Sequence, residues 1–168
     1  MTARPAARGE TLPDGRAALR TWLRLLMCTG LVEREVRGRL RHRFRITLPR
    51  FDVLAQLDAA AAESRAGLTM SELSRRLMVT NGNLTGLIER LTQERLVSRV
   101  VPPTDRRAQV VTLTPAGKRA LDAMTPEHHQ WIDAMFSGLS GAETAQLHAL
   151  LGRLKSSIRN SLNEDQTP

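Results

Sequence analysis

The stretch from Leu68 to Leu113 reads LTMSELSRRLMVTNGNLTGLIERLTQERLVSRVVPPTDRRAQVVTL, and its hydrophobic period changes halfway along. Thr69 and Glu72 have the spacing of a capping box, which starts a helix. Thr80 occupies the N-cap position of a second helical pattern, because large apolar residues then recur at helical spacing. The recurring residues of that second helix are Leu84, Leu87, Ile88 and Leu91.

After Leu96 the pattern alternates with a period of two, first from Val97 to Val101 and again at Val111 and Leu113. A Pro-rich segment, PPTDRR, separates the two runs. Two short helices followed by a β-hairpin are typical of a winged helix-turn-helix. We therefore predict a mainly α fold with a small β-hairpin wing, flanked by N- and C-terminal helices.

The polar face of the second helix carries small amide and hydroxyl side chains instead of Glu and Lys pairs. Such groups reach base edges in a major groove, and the N–H groups of a helix N-terminus meet phosphate. We predict contacts to double-stranded DNA there. The alternative is an ordinary solvated face. The base-edge candidates are Asn81, Asn83, Thr85 and Arg90, and the phosphate candidates are Ser71, Arg75 and Thr80.

The segment between the predicted strands places two arginines at a tip stiffened by two prolines. Arg106 or Arg107 would suit a minor groove, where negative potential is concentrated, while Asp105 braces the tip by pairing with an arginine. The alternative is a plain charged turn.

Two segments, VTNGNLTGLIERL and DRRAQVVTLTPAG, resemble the recognition helix and wing of MarR-type transcriptional regulators, and the resemblance extends over about residues 19 to 155. It implies a homodimeric winged-helix repressor, less often an activator, that a small ligand or oxidation releases from DNA. One position departs from the family, since Arg95 stands where many members have Gly. A left-handed backbone there would cost a non-Gly residue on the order of 1 kcal/mol.

The composition suits a helical protein with a polyanionic partner. The 168 residues are 41% hydrophobic and only 3% aromatic, with a formal net charge of +8 carried mainly by arginine. Arginine binds phosphate through a planar fork, although a genome rich in G and C would give the same bias. A basic helix lying on a membrane is the other alternative. A single Cys and the lack of a secretory signal or a spanning apolar run favour a cytoplasmic protein with no membrane partner.

Helical stripes outside the central stretch predict the rest of the organisation. We expect a mobile tail over 1–12, an N-terminal dimerisation helix over 13–46, a DNA-binding lobe over 47–113, C-terminal dimerisation helices over 114–161 and a tail over 162–168. Pro126 should kink or restart the first C-terminal helix. Three amphipathic helices exceed what one small core can cover, so we predict a two-fold homodimer that reads a pseudo-palindromic operator.

The sequence offers no sign of an enzyme, a cofactor or a metal site. It has no G-x-S-x-G, no P-loop and no G-x-G-x-x-G, and no pair of carboxylates stands on one apolar face. Glu127, His128 and His129 are of residue types that bind zinc, so we consider a zinc site. Adjacent helical residues diverge by about 100°, so we interpret the two histidines as surface residues without a partner.

Cys28 raises the question of redox sensing, because some family members carry a peroxide-reactive Cys in the first helix. Those members surround the sulfur with Tyr hydroxyls, and this chain has no Tyr. We therefore expect a buried, unreactive thiol. A redox-sensing repressor acting through Cys28 stays an alternative, as does a protein-interaction module that uses the same fold without binding DNA.

The resemblance also implies an effector in the crevice between the dimerisation helices and the DNA-binding lobe. Aromatic and apolar side chains near a cluster of arginines would suit a planar body carrying negative charge. We predict an aromatic carboxylate or its coenzyme A thioester, with dimer core as the alternative role of these side chains. The candidate ligand residues are Trp22, Met27, Phe44, Arg50 and Phe51.

Overall fold

A computed structural model describes residues 15–101 and 109–164, without the side chains of residues 81, 163 and 164. Within these ranges, six helices and three short strands follow one another along the chain. The elements are α1 Gly15–Phe44, α2 Leu48–Ala62, β1 Leu68–Thr69, α3 Met70–Leu77, α4 Asn81–Gln93, β2 Val97–Val100, β3 Val110–Leu113, α5 Pro115–Phe136 and α6 Gly141–Glu164.

The first corner of the fold lies between α1 and α2. Arg45 adopts a left-handed conformation with φ 58°. The N–H of Ile46 donates to the carbonyl of Leu40 at 3.4 Å, which closes the end of α1. Thr47 then caps α2, with a proline in the first turn. α1 thus ends at Phe44 and α2 begins at Leu48.

The helix-turn-helix consists of α3 and α4. The predicted capping box is present, since Glu72 N–H donates to Thr69 Oγ1 at 3.2 Å and Thr69 N–H donates to the Glu72 carboxylate at 2.8 Å. The backbone hydrogen bond holds the pKa of Glu72 down at about 2, although partial burial opposes it. Thr80 stands at the N-cap of α4 as predicted, with extended backbone. Its side chain makes no capping hydrogen bond to the described residues.

The sheet has three antiparallel strands in the order β1-β3-β2. β3 is central, pairing with β1 at Leu68↔Val111 and with β2 at Val97↔Leu113. Residues 102–108, which include the predicted wing tip, lie outside the described residues. β1 was not predicted, because two residues are too few to show a period.

α5 packs its first turn against the end of α4. The Thr114 hydroxyl accepts from Gly117 N–H at 3.0 Å and donates to the Arg95 carbonyl at 2.6 Å. A Cβ on Gly117 would stand 2.0 Å from the carbonyl oxygen of Leu96, so only glycine allows this approach. The expectation that Pro126 restarts the helix was wrong, because α5 runs through it to Phe136.

The core joins α1, α2, the helix-turn-helix, the sheet and α5. Its largest fully buried side chains come from every one of these elements except α5, which contributes Leu121 and Met124 at 3–4% exposure. The fully buried residues are Leu40, Val53, Leu54, Leu68, Leu73, Leu84, Ile88, Leu91, Val97 and Val111. The mainly α fold with a small hairpin is thus confirmed.

Two helices leave apolar faces outside this core. Over its first half α1 exposes a stripe that includes Trp22 and Leu26, each 56% exposed. α6 exposes a second stripe, from Leu150 at 50% to Leu162 at 57%. In the described part of the chain, no helix combines the length and the hydropathy that a membrane crossing requires.

Candidate nucleic-acid interface

α4 has one buried face and one polar exposed face. Leu84, Ile88 and Leu91 are completely buried, and they fix the rotation of the helix about its axis. The opposite face exposes Asn83 and Thr85, among other small or polar residues. The side chain of Asn81 is not described. The structure thus supports the predicted base-edge candidates Asn83, Thr85 and Arg90 as accessible groups, and their role in DNA contact stays a prediction.

The predicted phosphate candidates lie beside this face. Ser71 and Arg75 are exposed on α3, and Thr80 is exposed immediately before α4. Arg99 is also exposed, on β2, and sequence reasoning missed it. The sequence carried no signal for it, because Arg99 is two positions from Val97 in the strand and the pattern therefore places it on the same face as that apolar residue.

Asp105, Arg106 and Arg107 lie outside the described residues. The minor-groove contact of an arginine and the bracing role of the aspartate therefore stay predictions.

The C-terminal end of α4 is held from two sides. Arg50, in the first turn of α2, forms an ion pair with Glu94. On the other side the carbonyl of Leu96 accepts hydrogen bonds from the N–H of Thr114 at 3.1 Å and from its hydroxyl at 3.2 Å. The recognition helix is therefore fixed to α2 and α5 at the end remote from its exposed N-terminal turn.

The five candidate ligand residues do not form one site in a single subunit. Trp22 and Phe44 lie at opposite ends of α1, about 33 Å apart at the rise of an α-helix. Met27, 67% exposed, belongs to the outer stripe. Phe51 is buried against His128, with ring centroids 4.7 Å apart, and Arg50 is engaged by Glu94. The prediction that these side chains meet around one ligand was wrong for the isolated chain.

A groove between α1 and α5, in contrast, is formed within a single chain. Its volume is about 400 Å³. The guanidinium carbon of Arg39 stands 5.7 Å from the ring centroid of Trp131. Arg43 pairs with Glu127 at 3.1 Å across the groove. The lining residues are Glu35, Gly38, Arg39, His42, Arg43, Glu127 and Trp131.

Trp131 was not singled out from the sequence as a binding residue. Phe44, one of the predicted ligand residues, packs against it with ring centroids 6.2 Å apart. Of the five candidates, Phe44 therefore borders the groove, and the sequence had no signal that paired it with a residue so distant along the chain.

His128 was interpreted as a surface residue without a partner, which was wrong. Its ring lies between Phe51 and Trp131, at centroid distances of 4.7 and 6.5 Å. Burial lowers the pKa of His128, and the neighbouring His129 lowers it further. Among the described residues, no group of three His, Cys, Asp or Glu side chains is placed to hold a metal ion.

Asp52 lies on α2 beside charged residues of α1. Its pKa is raised from 3.8 to about 6, chiefly by burial and also by Glu33, while Arg37 opposes the rise. Arg37 is itself paired with Glu33 at 3.4 Å. This carboxyl group therefore titrates close to neutral pH at the contact between the two helices.

Cys28 is exposed in the single subunit, so the expectation of a buried thiol was wrong for the isolated chain. It lies two residues after Leu26 on α1, which places it about 200° around the helix from that residue. The thiol therefore faces away from the apolar stripe.

Comparisons with known proteins agree with this geometry. A model of the MarR family matches residues 46–108. The regulator PecS of Dickeya dadantii is 29% identical over 119 residues, which cover 71% of this chain and 70% of that protein. The regulator MhqR of Bacillus subtilis is 29% identical over 85 residues, 51% of this chain, and the chain spans only 59% of its length.

Solved structures match over most of the chain. The MepR–DNA complex of S. aureus superposes with a TM-score of 0.68 at 25% identity, covering 80% of this chain and 93% of MepR. A mutant of MarR from E. coli, complexed with operator DNA, gives a TM-score of 0.66 at 27% identity and covers 84% of this chain and 98% of MarR. These relatives are transcriptional regulators, not enzymes. Residues 46–108 thus match the MarR family, and the chain has the winged helix-turn-helix fold of the solved MepR and MarR structures.

Proposed function

We propose that the protein is a homodimeric repressor that binds a pseudo-palindromic operator and is released by a small anionic aromatic ligand or its coenzyme A thioester. The observation that carries the DNA-binding part is the exposed face of α4, which presents Asn83, Thr85 and Arg90 while three apolar residues anchor the other side. Two similar proteins, MepR and MarR, were solved in complex with DNA. A net charge of +8 supports a polyanionic partner.

Gel shifts on DNA from the chain's own promoter region test this function, at several salt concentrations. Asn83→Ala should weaken operator binding by about 1–3 kcal/mol and leave binding to unrelated DNA unchanged, because it removes a base contact. Arg75→Ala should weaken both and lower the salt slope by about one. Arg159→Ala, which removes an exposed arginine of α6, is the control for net charge. A wild-type protein that binds all duplexes equally would contradict the proposal.

The dimer part of the proposal is supported by the two exposed apolar stripes. One lies on α1 and the other on α6, both outside the DNA-binding lobe. Stripes this continuous are unfavourable in water and are expected to pack against the same helices of a second copy. A two-fold axis would then place two α4 helices one DNA turn apart.

The groove between α1 and α5 supports the effector part of the proposal. Trp131 offers a flat apolar surface, and Arg39 and Arg43 stand at its border. The side chain of Arg43 is 64% exposed, and an exposed ion pair contributes only about 0–1 kcal/mol. A ligand carboxylate can therefore replace Glu127 on Arg43 at small cost while its ring packs on the indole.

The chain has only two tryptophans, which makes this site directly observable. In a Trp22→Phe variant all indole fluorescence comes from Trp131, and binding of an aromatic carboxylate should quench it. Operator release by the same ligand should persist in Trp22→Phe and disappear in Trp131→Leu. Release that depends on Trp22 and not on Trp131 would move the effector site to the other end of α1.

Redox control through Cys28 is the second candidate, because the thiol is exposed in the single subunit. It predicts operator release by peroxide that Cys28→Ser abolishes. Release by aromatic anions with full insensitivity to peroxide would exclude it.

A further inference from the structure

We propose that Arg50 and Glu94 form a positioning pair, which sets the orientation of α4 for operator recognition without touching DNA. This inference rests on the proposed DNA-binding function. The pair joins residues 44 positions apart, one in the first turn of α2 and one at the C-cap of α4.

The burial of Arg50 argues against a direct role in DNA binding. Its side chain is 18% exposed, whereas Glu94 is 48% exposed. The Nε of Arg50 is buried and makes no hydrogen bond to the described residues. A partly buried guanidinium whose Nε lacks a partner depends all the more on its single carboxylate. Arg50 is therefore engaged with Glu94 and unavailable to phosphate.

Because Arg50 and Glu94 act at one end of α4, a small tilt of the helix there displaces its other end. The helix has 13 residues and a length of about 20 Å. Glu94 lies at one end, and the exposed Asn83 lies near the other. A tilt of about 10° about the fixed end would displace the far end by about 3 Å, which is the whole length of a hydrogen bond. Base contacts would be lost, whereas flexible arginines could still reach phosphate.

The second restraint on the same end of α4 comes from α5. The Thr114 hydroxyl donates to the carbonyls of Arg95 and Leu96, and the backbone of Gly117 lies close to the carbonyl of Leu96. With that restraint and the buried face of α4 in place, loss of the ion pair should leave the helix folded and change its tilt. The ion pair between Arg50 and Glu94 thus affects the orientation of α4 more than it affects folding of the protein.

A double-mutant cycle on the full-length protein tests the inference. Operator and unrelated-duplex affinities are measured across a range of salt concentrations, alongside thermal unfolding. We expect Arg50→Met and Glu94→Gln each to weaken operator binding about tenfold, with unrelated-duplex affinity and salt slope unchanged. The double variant should be no weaker than the weaker single variant. Arg50→Lys, which keeps the charge, should recover most of the affinity.

Arg37→Met is the matched control, because Arg37 pairs within its own helix, with Glu33, and should leave operator affinity unchanged. A salt slope lowered by about one in Arg50→Met would make Arg50 a phosphate contact and overturn the inference. Additive losses of operator affinity in the double variant would also overturn the inference, as would single variants that bind the operator as tightly as wild type. If Arg50→Met fails to fold, the operator affinity of Arg50→Lys tests the inference. A wild-type protein without operator preference would instead refute the proposed function itself.

Discussion

At the scale of single residues, the charge of Asp52 depends on the fold. Its pKa is about 6 in the folded chain, against 3.8 in an exposed carboxyl group, because burial and Glu33 disfavour the anion. A raised pKa means that the folded state takes up a proton more readily than the unfolded state. The contribution of Asp52 to stability is therefore complete below about pH 4 and is lost as the pH rises through 6.

We expect Asp52→Asn to stabilise the protein at pH 7, because the amide carries no charge to desolvate. The gain should be on the order of 1 kcal/mol, after allowance for the solvent that screens a half-exposed group. It should shrink to nearly nothing at pH 4, where Asp52 is itself neutral. Urea unfolding of wild type and variant at the two pH values measures this, and a gap independent of pH would contradict it.

Arg95 carries a backbone conformation that suits glycine. Its φ is 60°, as the departure from the family pattern suggested. We expect Arg95→Gly to raise the free energy of unfolding by about 0.5–1 kcal/mol, because the Cβ strain disappears. Gln93→Gly, at the last residue of α4, is the matched control and should lower it by a similar amount. Destabilisation of the same size in both variants would show that residue 95 is not strained.

At the scale of elements, the junction of α4, β2 and α5 depends on Gly117. We expect Gly117→Ala to cost about 2 kcal/mol or more, because the new methyl group would stand 2.0 Å from a carbonyl oxygen of Leu96. Gly38→Ala, in α1, is the control. It meets nothing within 4 Å and should be neutral or stabilising. Thermal unfolding compares the two variants, and equal melting temperatures would mean that α5 can move away from Leu96 without loss.

The same elements show what sequence can predict here. The face of α4 and the capping box of α3 were predictable, because local spacing determines them: Glu72 N–H donates to Thr69 Oγ1 at 3.2 Å. Pro126 does not restart the helix as one alternative predicted, because the remaining turns of a 22-residue helix tolerate the loss of one hydrogen bond. The candidate ligand residues were grouped by the chemistry of their side chains, and they do not meet within one chain. The residue pairs that form the groove and that restrain α4 lie far apart in the sequence.

At the scale of the whole molecule, stability should depend on association. We expect Leu26→Glu to give a monomer with a lower melting temperature, because it places a charge in the exposed stripe of α1, where Leu26 is 56% exposed. Thr21→Glu lies on the opposite face of the same helix and is the matched control. Light scattering after size-exclusion chromatography, with melting curves at several protein concentrations, measures both effects. A Leu26→Glu variant that kept the wild-type mass would exclude the α1 stripe from the interface.

The separation of α4 from the exposed stripes of α1 and α6 has a genetic consequence. In the proposed dimer, an allele that damages only the exposed face of α4 should leave the stripes intact, so its product should still pair with the normal subunit. If tight binding needs both half-sites of the proposed operator, each mixed pair should be inactive. Such alleles should behave as dominant in a merodiploid cell, whereas alleles that ruin the stripes should be recessive.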